Sequence, residues 1–432
     1  MQVHLTTLGC RLNEAELENW ATGFMSKGHE ITQNPEQADV VVINTCAVTQ
    51  DAVRKSRQLI RRTHRNNPTA KLVVSGCYSS LNKTMTDEIE GIDLVIPNQD
   101  KERLVAIATK ELNLLTMPSE ATVPGETSLF KRGRQRAFIK IQDGCRYRCT
   151  YCIVTVARGS ERSRTVADIV AEINNLISQG IHEAVLTGVH VGGYGSDIKS
   201  DLYKLIKAIL SETDLPRLRL ASVEPWDLPD KFFELFSNKR LMPHMHLPLQ
   251  SGSDSVLKRM SRRCKTEDFK RLIEYARSEV PDFNVTTDVI VGFPGETEEE
   301  WRESMEFISD IEFSHIHIFS YSKREGTKAV GLPDQVSNDI RKMRSVELHR
   351  LAADMKITYL QKHINKVFPI LWEGSSKTEK TGPTRYFGYT PNFVRAQIDI
   401  DSGEVLTNTI QQVRITCVNA NGENILAVKI SN

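Results

Sequence analysis

The chain has 432 residues, of which 40% are hydrophobic and 26% are charged, and its formal net charge at pH 7 is +1. These values are ordinary for a soluble globular protein of two or three domains, and the balanced charge by itself favours no nucleic-acid partner. Because no charge-free segment is long enough to span a membrane and the N-terminus lacks the pattern of a signal peptide, we predict a cytoplasmic protein with no membrane partner.

Three β-type runs near the N-terminus each end in a cysteine. VHLTTLGC ends at Cys10, ADVVVINTC at Cys46 and AKLVVSGC at Cys77. Helix-like stretches over residues 13–27 and 50–65 separate them, which predicts an open parallel α/β sheet with right-handed crossovers. The carboxyl ends of parallel strands share one edge, so the three thiols are expected to converge there. The alternative is three buried structural cysteines.

The helix predicted over residues 50–65 has a basic face. Arg54, Arg57 and Arg61 recur there at helical spacing. Such a stripe suits the phosphates of RNA, and the alternative is a solvated helix face.

From about residue 137, strand-like and helix-like segments alternate on a larger scale. Six β/α units of this kind indicate an open, partial (β/α)6 barrel, with its chemistry at the carboxyl ends of the strands. Thr297 and Glu300 fit a capping box at the start of one of its helices. The six strands are expected at residues 137–144, 183–189, 218–225, 244–250, 284–293 and 315–322.

A long helix is predicted over residues 336–364, and an all-β pattern follows it. The runs VFPILWE, TRYFGYT, NFVRAQIDI and ILAVKI alternate and are separated by turn residues, which predicts a small barrel or sandwich. Arg385 and Arg395 stand among aromatic residues there, an arrangement that suits base stacking unless the core takes the rings.

The stretch DGCRYRCTYC contains Cys145, Cys149 and Cys152. A disulfide framework needs an even number of cysteines and a closed zinc site needs four ligands, so three thiols indicate a metal centre with an open position. Three thiolates on a cubane iron–sulfur cluster leave one iron for a small chelating molecule. The alternative is a zinc knuckle that takes its fourth ligand from elsewhere.

C-x3-C-x2-C after the first strand of such a barrel resembles the radical S-adenosylmethionine (SAM) superfamily. The resemblance implies a [4Fe-4S] cluster on Cys145, Cys149 and Cys152 that binds SAM and yields a 5′-deoxyadenosyl radical. It also implies cofactor contacts from the aromatic residue before the last cysteine and from the ends of later strands, namely Tyr151, Gly188, Glu224, Gln250 and Asp288.

The N-terminal cysteines together with this barrel resemble the methylthiotransferases. The resemblance implies an auxiliary [4Fe-4S] cluster on Cys10, Cys46 and Cys77, two SAM molecules per turnover, a tRNA substrate, a one-electron donor such as a flavodoxin system, and a sulfur donor that it does not identify. The C-terminal region resembles the RNA-binding TRAM domain of that family. Further stretches that carry the resemblance are LTGVHVGGYG, HLPLQSGSDSVLKRM, TDVIVGFPGETEEE and YSKREGTKA.

The resemblance predicts four segments. They are an N-terminal methylthiotransferase domain at 1–115, a linker at 116–136, a radical SAM domain at 137–365 and a TRAM domain at 366–432.

NTCAVTQDAVRKSRQLIRR resembles the branch that modifies C2 of N6-threonylcarbamoyladenosine at position 37 of tRNA, and this is the predicted reaction. Its substrate carries a carboxylate and needs a cation or amide donors, whereas the isopentenyladenosine of a sister branch needs an apolar wall. A third candidate substrate is an aspartate of a ribosomal protein. A reading of a different class is a non-catalytic, zinc-bearing RNA-binding protein.

Overall fold

The structure, a computed structural model, describes residues 1–81, 86, 89–114, 135–229, 231–377, 383–401 and 403–430. Almost all of the predicted linker at 116–136 lies outside the described residues. Within them, none of the helices has both the length and the apolar character needed to cross a membrane. The chain divides into two compact units, the first comprising Met1–Arg164, Thr187–His190 and Ser322–Val330, and the second comprising Thr165–Leu186, Val191–Tyr321 and Gly331–Asn432.

The first unit contains the predicted open parallel sheet, in the strand order β2-β1-β3-β4-β5. Alternate residues of β3 face opposite sides: Val40 and Val42 pack on one side with Trp20, and Val41 and Ile43 pack on the other. Both faces are therefore covered, as is usual for a parallel sheet. The elements are β1 (Gln2–Thr7), α1 (Arg11–Ser26), β2 (Glu30–Ile31), β3 (Val40–Thr45), α2 (Gln50–Asn66), β4 (Lys71–Gly76), α3 (Cys77–Leu81), β5 (Leu94–Ile96) and α4 (Leu104–Glu111).

The first predicted barrel strand, 137–144, is divided in the structure. Ile141 interrupts it and donates its backbone N–H to the carbonyl of Thr187 at 2.9 Å. The short strand beyond Ile141 then pairs antiparallel with β8. The elements are β6 (Arg136–Lys140), β7 (Gln142–Asp143), α5 (Val154–Arg158) and β8 (Arg162–Ser163).

The barrel strands of the second unit are parallel. β9 pairs with β10, and β12 lies between β11 and β13. Single bridges, one of them between Ser222 and His246, connect β10 to β11. The elements are α6 (Val166–Ser178), β9 (Glu183–Thr187), α7 (Leu202–Glu212), β10 (Arg217–Leu220), β11 (His244–His246), α8 (Asp254–Arg259), α9 (Thr266–Glu279), β12 (Asn284–Val291), α10 (Glu298–Ile311), β13 (His315–Ser320) and α11 (Asn338–Gln361).

The barrel strands end earlier than predicted because their carboxyl ends turn into loops. Gln250, for example, has a left-handed backbone with φ of 75° and bridges only Val289. The predicted capping box is confirmed, since Thr297 accepts the N–H of Glu300 and Glu300 accepts the N–H of Thr297.

The C-terminal region is a closed five-stranded barrel, consistent with a TRAM domain. The prediction missed Ile410–Val418, whose buried Val413 and Ile415 alternate with exposed residues after two glutamines. The predicted run NFVRAQIDI also begins too early, because Phe393 adopts a left-handed φ of 65° in a turn. The strands are β14 (Val367–Lys377), β15 (Thr384–Tyr389), β16 (Arg395–Ile400), β17 (Ile410–Val418) and β18 (Ile425–Lys429).

Candidate active site

Cys145, Cys149 and Cys152 lie on the loop between β7 and α5, and all three are partly exposed. Cys145 donates its backbone N–H to the carbonyl of Gly159 at 3.1 Å, and Cys152 donates to that of Cys149 at 3.0 Å. Gly144, just before the loop, has a φ of 72°, and a Cβ there would lie 1.9 Å from a backbone oxygen of Ser160. The loop is thus closed on itself and presents three soft thiol donors within eight residues.

Glu161 and His190 lie beside this loop, and neither was predicted from the sequence. His190 Nδ1 is 2.5 Å from a carboxylate oxygen of Glu161, and both groups lie within 4.8 Å of the Cys145 thiol. His190 belongs to LTGVHVGGYG, so this stretch was the available signal. The pair places a proton donor and acceptor next to one thiol of the loop.

Gln142 connects the loop to the predicted glycine turn. Its amide donates to the carbonyl of Gly144 at 2.7 Å and accepts the backbone N–H of His190 at 2.9 Å. A Cβ on Gly188 would lie 3.1 Å from Gln142 atoms, so glycine suits this close approach. Gly188 is therefore held against the segment that carries the cysteine loop.

Cys10, Cys46 and Cys77 follow β1, β3 and β4 and converge at the carboxyl edge of the sheet. Burial, and to a smaller extent the neighbouring thiols of Cys10 and Cys77, raise the pKa of Cys46 to about 11. Gly9 makes this approach possible, since its φ is 117° and a Cβ there would lie 2.9 Å from Cys46 Sγ. The structure brings these three predicted ligands together, and their role as ligands stays a prediction.

A buried ion network lies beside this second set of thiols. Arg158 donates to Glu16 at 2.9 Å, to Asp143 at 3.1 Å and to Asn13 at 2.8 Å. Lys101 donates to Glu16 at 2.6 Å. Burial alone would raise the pKa of Glu16, but Arg158, Lys101 and a further lysine hold it well below its usual range. Glu16 therefore stays ionised beside Arg158, whereas burial lowers the pKa of Lys101.

The network contributes positive charge next to the thiols. Burial would lower the pKa of Arg158, but Glu16 and then Cys77, with Cys10 among the smaller causes, keep it well above its usual value. The amide of Asn98 also lies 3.8 Å from Cys77 Sγ. Arg158 thus places a buried cation beside these thiols, and a cation of this kind stabilises thiolate ligands, whereas burial of Cys46 acts in the opposite sense.

The remaining predicted SAM contacts belong to different parts of the chain. Tyr151 is half-buried on the cysteine loop in the first unit. In the second unit, Glu224 does not use its side chain to cap the turn Pro225–Asp227. Gln250 lies beyond the end of β11 and donates its backbone N–H at 2.8 Å to the carbonyl of Asp288, which is inside β12 and not at its end.

The predicted RNA-contacting arginines differ in their surroundings. Arg54 is exposed and paired with Asp51. Arg57 is half-buried, and Arg61 lines a cleft of about 520 Å³ beside α2. The residues lining the cleft are mostly basic or polar, namely Leu8, Lys55, Gln58, Leu59, Arg61, Arg62 and Arg65.

The two C-terminal arginines make local contacts. Arg385 pairs with Asp399 at 2.8 Å across neighbouring strands. Arg395 lies over the ring of Phe387 at 4.5 Å from its centre. Arg395 therefore offers the combined cation and aromatic surface, whereas much of the charge of Arg385 is balanced by its partner.

Comparison with known proteins identifies the family. Residues 139–308 match the Radical SAM superfamily, and residues 2–97 match an uncharacterized protein family, UPF0004. The chain is 37% identical to threonylcarbamoyladenosine tRNA methylthiotransferase MtaB of Bacillus subtilis, over 90% of this chain and 88% of that protein. The chain belongs to the radical SAM methylthiotransferase family. Membership implies a [4Fe-4S] cluster and SAM.

Two further proteins are similar to this methylthiotransferase, one in sequence and one in fold. It is 34% identical to tRNA-2-methylthio-N(6)-dimethylallyladenosine synthase of Geobacillus kaustophilus, over 90% of this chain and 75% of that protein. The fold resembles that of the radical SAM methyltransferase TsrM of Kitasatospora setae, with a TM-score of 0.56 at 16% identity over 74% of this chain and 72% of TsrM. At this identity the second similarity supports the fold alone.

Proposed function

We propose that this methylthiotransferase converts N6-threonylcarbamoyladenosine at position 37 of tRNA to its 2-methylthio derivative. The observation that carries the proposal is the 37% identity, over nine tenths of the chain, to a relative named for that substrate. The 34% identity to a dimethylallyladenosine synthase makes isopentenyladenosine the second candidate substrate.

We further propose that Cys145, Cys149 and Cys152 hold the cluster that binds SAM. When bound, this cluster with SAM supplies the radical needed to activate the C2–H bond, which ordinary acid–base chemistry does not reach. The residues that would contact SAM are Tyr151, Gly188, Glu224, Gln250 and Asp288.

The N-terminal thiols Cys10, Cys46 and Cys77 would hold an auxiliary cluster, and a second SAM molecule per turnover would supply the methyl group. Support comes from the convergence of the thiols and from the ionised Arg158 beside them. A one-electron donor such as a flavodoxin system and a sulfur donor complete the reaction, in the cytoplasm.

Four segments would carry these roles. The methylthiotransferase domain at 1–115 and the linker at 116–136 precede the radical SAM domain at 137–365 and the TRAM domain at 366–432.

For the tRNA, Arg57, Arg61 and Arg395 are more available to phosphate than Arg54 and Arg385, which pair with carboxylates.

The test is an anaerobic assay with SAM, dithionite and tRNA bearing threonylcarbamoyladenosine, followed by nucleoside mass spectrometry. We expect the 2-methylthio nucleoside together with 5′-deoxyadenosine. Deoxyadenosine without that product, and methylthiolation of isopentenyladenosine tRNA in parallel reactions, would reject the first substrate in favour of the second. Neither product from protein that contains zinc and no iron would reject the enzyme.

A further inference from the structure

One face of the last barrel strand carries polar and aromatic side chains that the roles above do not use. Along β13, His315, His317 and Phe319 are on one side, whereas Ile316 is buried on the other. Phe319 keeps 45% of its surface exposed, a large fraction for a phenylalanine in a barrel strand.

The neighbouring strands extend this face. In the strand register, Thr286 is opposite His315 and Asp288 is opposite His317. His246 of β11 is opposite Thr286. The rings of His315 and His317 lie 4.6 Å apart, and those of His246 and His317 lie 5.5 Å apart. Three imidazoles thus meet at one place.

The imidazoles of this face supply N–H donors for an anion. The carboxylate of this face, Asp288, is also one of the proposed SAM contacts, and its Oδ1 lies 3.1 Å from His246 Nε2. Burial, followed by His317 and then by Lys356 of α11, lowers the pKa of His315 to about 4. The helix that carries Lys356, α11, packs against β13, so this lysine adds positive charge on this side of the barrel.

We propose that this face binds the modified adenine of the substrate, with the base on Phe319 and the carboxylate of its N6 substituent on His317, His315 and Lys356. The inference rests on the proposed function and identifies the part of the barrel that selects the threonylcarbamoyl group. Imidazole and ammonium N–H groups donate to a carboxylate, and these charge-assisted hydrogen bonds are among the stronger ones.

The spacing along β13 suits such a ligand. A strand rises about 3.3 Å per residue, so His317 lies roughly 7 Å and His315 roughly 13 Å below Phe319. Phe319 is nearest to the carboxyl end of the strand, where β/α barrels carry their chemistry. The base would thus lie nearest to that end, and the substituent would extend down the strand.

The same face would reject an isopentenyl group. That group offers no acceptor, so binding it here would remove water from imidazoles and an ammonium without replacing their hydrogen bonds. Discrimination of this kind, in which a polar site rejects a ligand that lacks the matching group, is stronger than discrimination by shape alone.

The test compares His317→Phe with His349→Phe, a matched change at an exposed histidine on α11. Binding to the reconstituted enzyme with SAM is measured for anticodon stem-loops that carry threonylcarbamoyladenosine, its carboxamide analogue, or unmodified adenosine. We expect the wild type to prefer the carboxylate over the carboxamide by about ten- to a hundredfold, the range for a hydrogen bond to a charged group. His317→Phe should lose this preference while binding unmodified RNA as before, and His349→Phe should keep it.

A second variant, Lys356→Met, removes the ammonium from a half-buried position on the helix and tests the same site without altering a barrel strand. It should reduce the preference severalfold. The inference is overturned if the wild type methylthiolates threonylcarbamoyladenosine but does not distinguish the carboxylate from the carboxamide, or if both variants keep the full preference. An equivalent of zinc that is lost in His317→Phe would also overturn it, in favour of a metal site. Methylthiolation of isopentenyl RNA alone would instead reject the proposed function itself.

Discussion

Among single residues, Arg158 follows the cysteine loop in sequence and acts on the N-terminal thiols. It is the last residue of the short helix after the cysteine loop, and its guanidinium contacts Glu16 and Asp143 while its charge acts on Cys77. A buried cation with several partners is costly to remove, because the partners stay buried without compensation. Arg158 therefore contributes to the folding of this region as well as to its charge.

We predict that Arg158→Met destabilises the first unit by about 3–5 kcal/mol, the usual effect of removing one partner of a buried ion pair. The measurement is urea unfolding of the cluster-free protein, followed by circular dichroism. Arg54→Met is the matched control, because Arg54 is exposed and pairs with Asp51 at the surface, where little change is expected. Equal stability of the two variants would show that the network is not ionised as described.

At the level of secondary-structure elements, the N-terminus of α10 combines a capping box with hydrogen bonds from a second helix. Its capping box is joined by Arg259, which donates to Glu300 at 2.9 Å, and by Ser255, which donates at 2.5 Å. Burial would raise the pKa of Glu300, but the hydrogen bonds from Arg259, Ser255 and the backbone of Thr297 lower it to about 2. This carboxylate therefore links α10 to α8.

The lowered pKa gives a pH dependence with a definite sign. A carboxyl whose pKa is lower in the folded state stabilises the protein above its unfolded pKa of about 4.3, and the stabilisation is lost as the pH falls toward 2. We predict that Glu300→Gln lowers the thermal midpoint at pH 7 and flattens its decline between pH 5 and pH 3. Glu306→Gln, at an exposed position of the same helix, should leave both unchanged. A wild-type decline that persists in Glu300→Gln would contradict the assignment.

How far the sequence predicts these elements depends on the range of the interactions. The parallel sheet and the capping box were predicted because apolar runs and the Thr297–Glu300 spacing are local signals. The strand Ile410–Val418 was missed because Gln411 and Gln412 weaken its pattern, and one of its two pairing partners, β14, is distant in sequence. The contact of Arg158 with Glu16 spans 142 residues and has no local signal at all.

At the level of the whole molecule, six of the eight cysteines fall into two spatial groups, one on a single loop and one collected from three strand ends. The sequence predicted both groups, because each strand-end cysteine follows an apolar run, but it did not predict the ion network and the His190–Glu161 pair beside them. If each group holds its own cluster, substituting one cysteine of each group should affect SAM cleavage and methylthiolation differently.

We therefore predict different consequences for one cysteine of each group. Cys149→Ala should abolish cleavage of SAM and, if each group of thiols holds one [4Fe-4S] cluster as proposed, lose about half of the bound iron. Cys46→Ala should lose a similar amount of iron and all methylthiolation while retaining some cleavage of SAM. The measurements are iron content, 5′-deoxyadenosine release and nucleoside mass spectrometry on anaerobically reconstituted protein.

Cys417→Ala is the control for this comparison, because Cys417 is exposed on a C-terminal strand and belongs to neither group. It should keep the iron content and both activities. Full methylthiolation by both Cys149→Ala and Cys46→Ala would show that the two-cluster assignment is wrong. Loss of all iron from either variant alone would instead show that the two groups of thiols depend on each other. Arg158 offers a physical route for such a dependence, because its charge acts on Cys77 and its side chain contacts Asp143, two residues before Cys145.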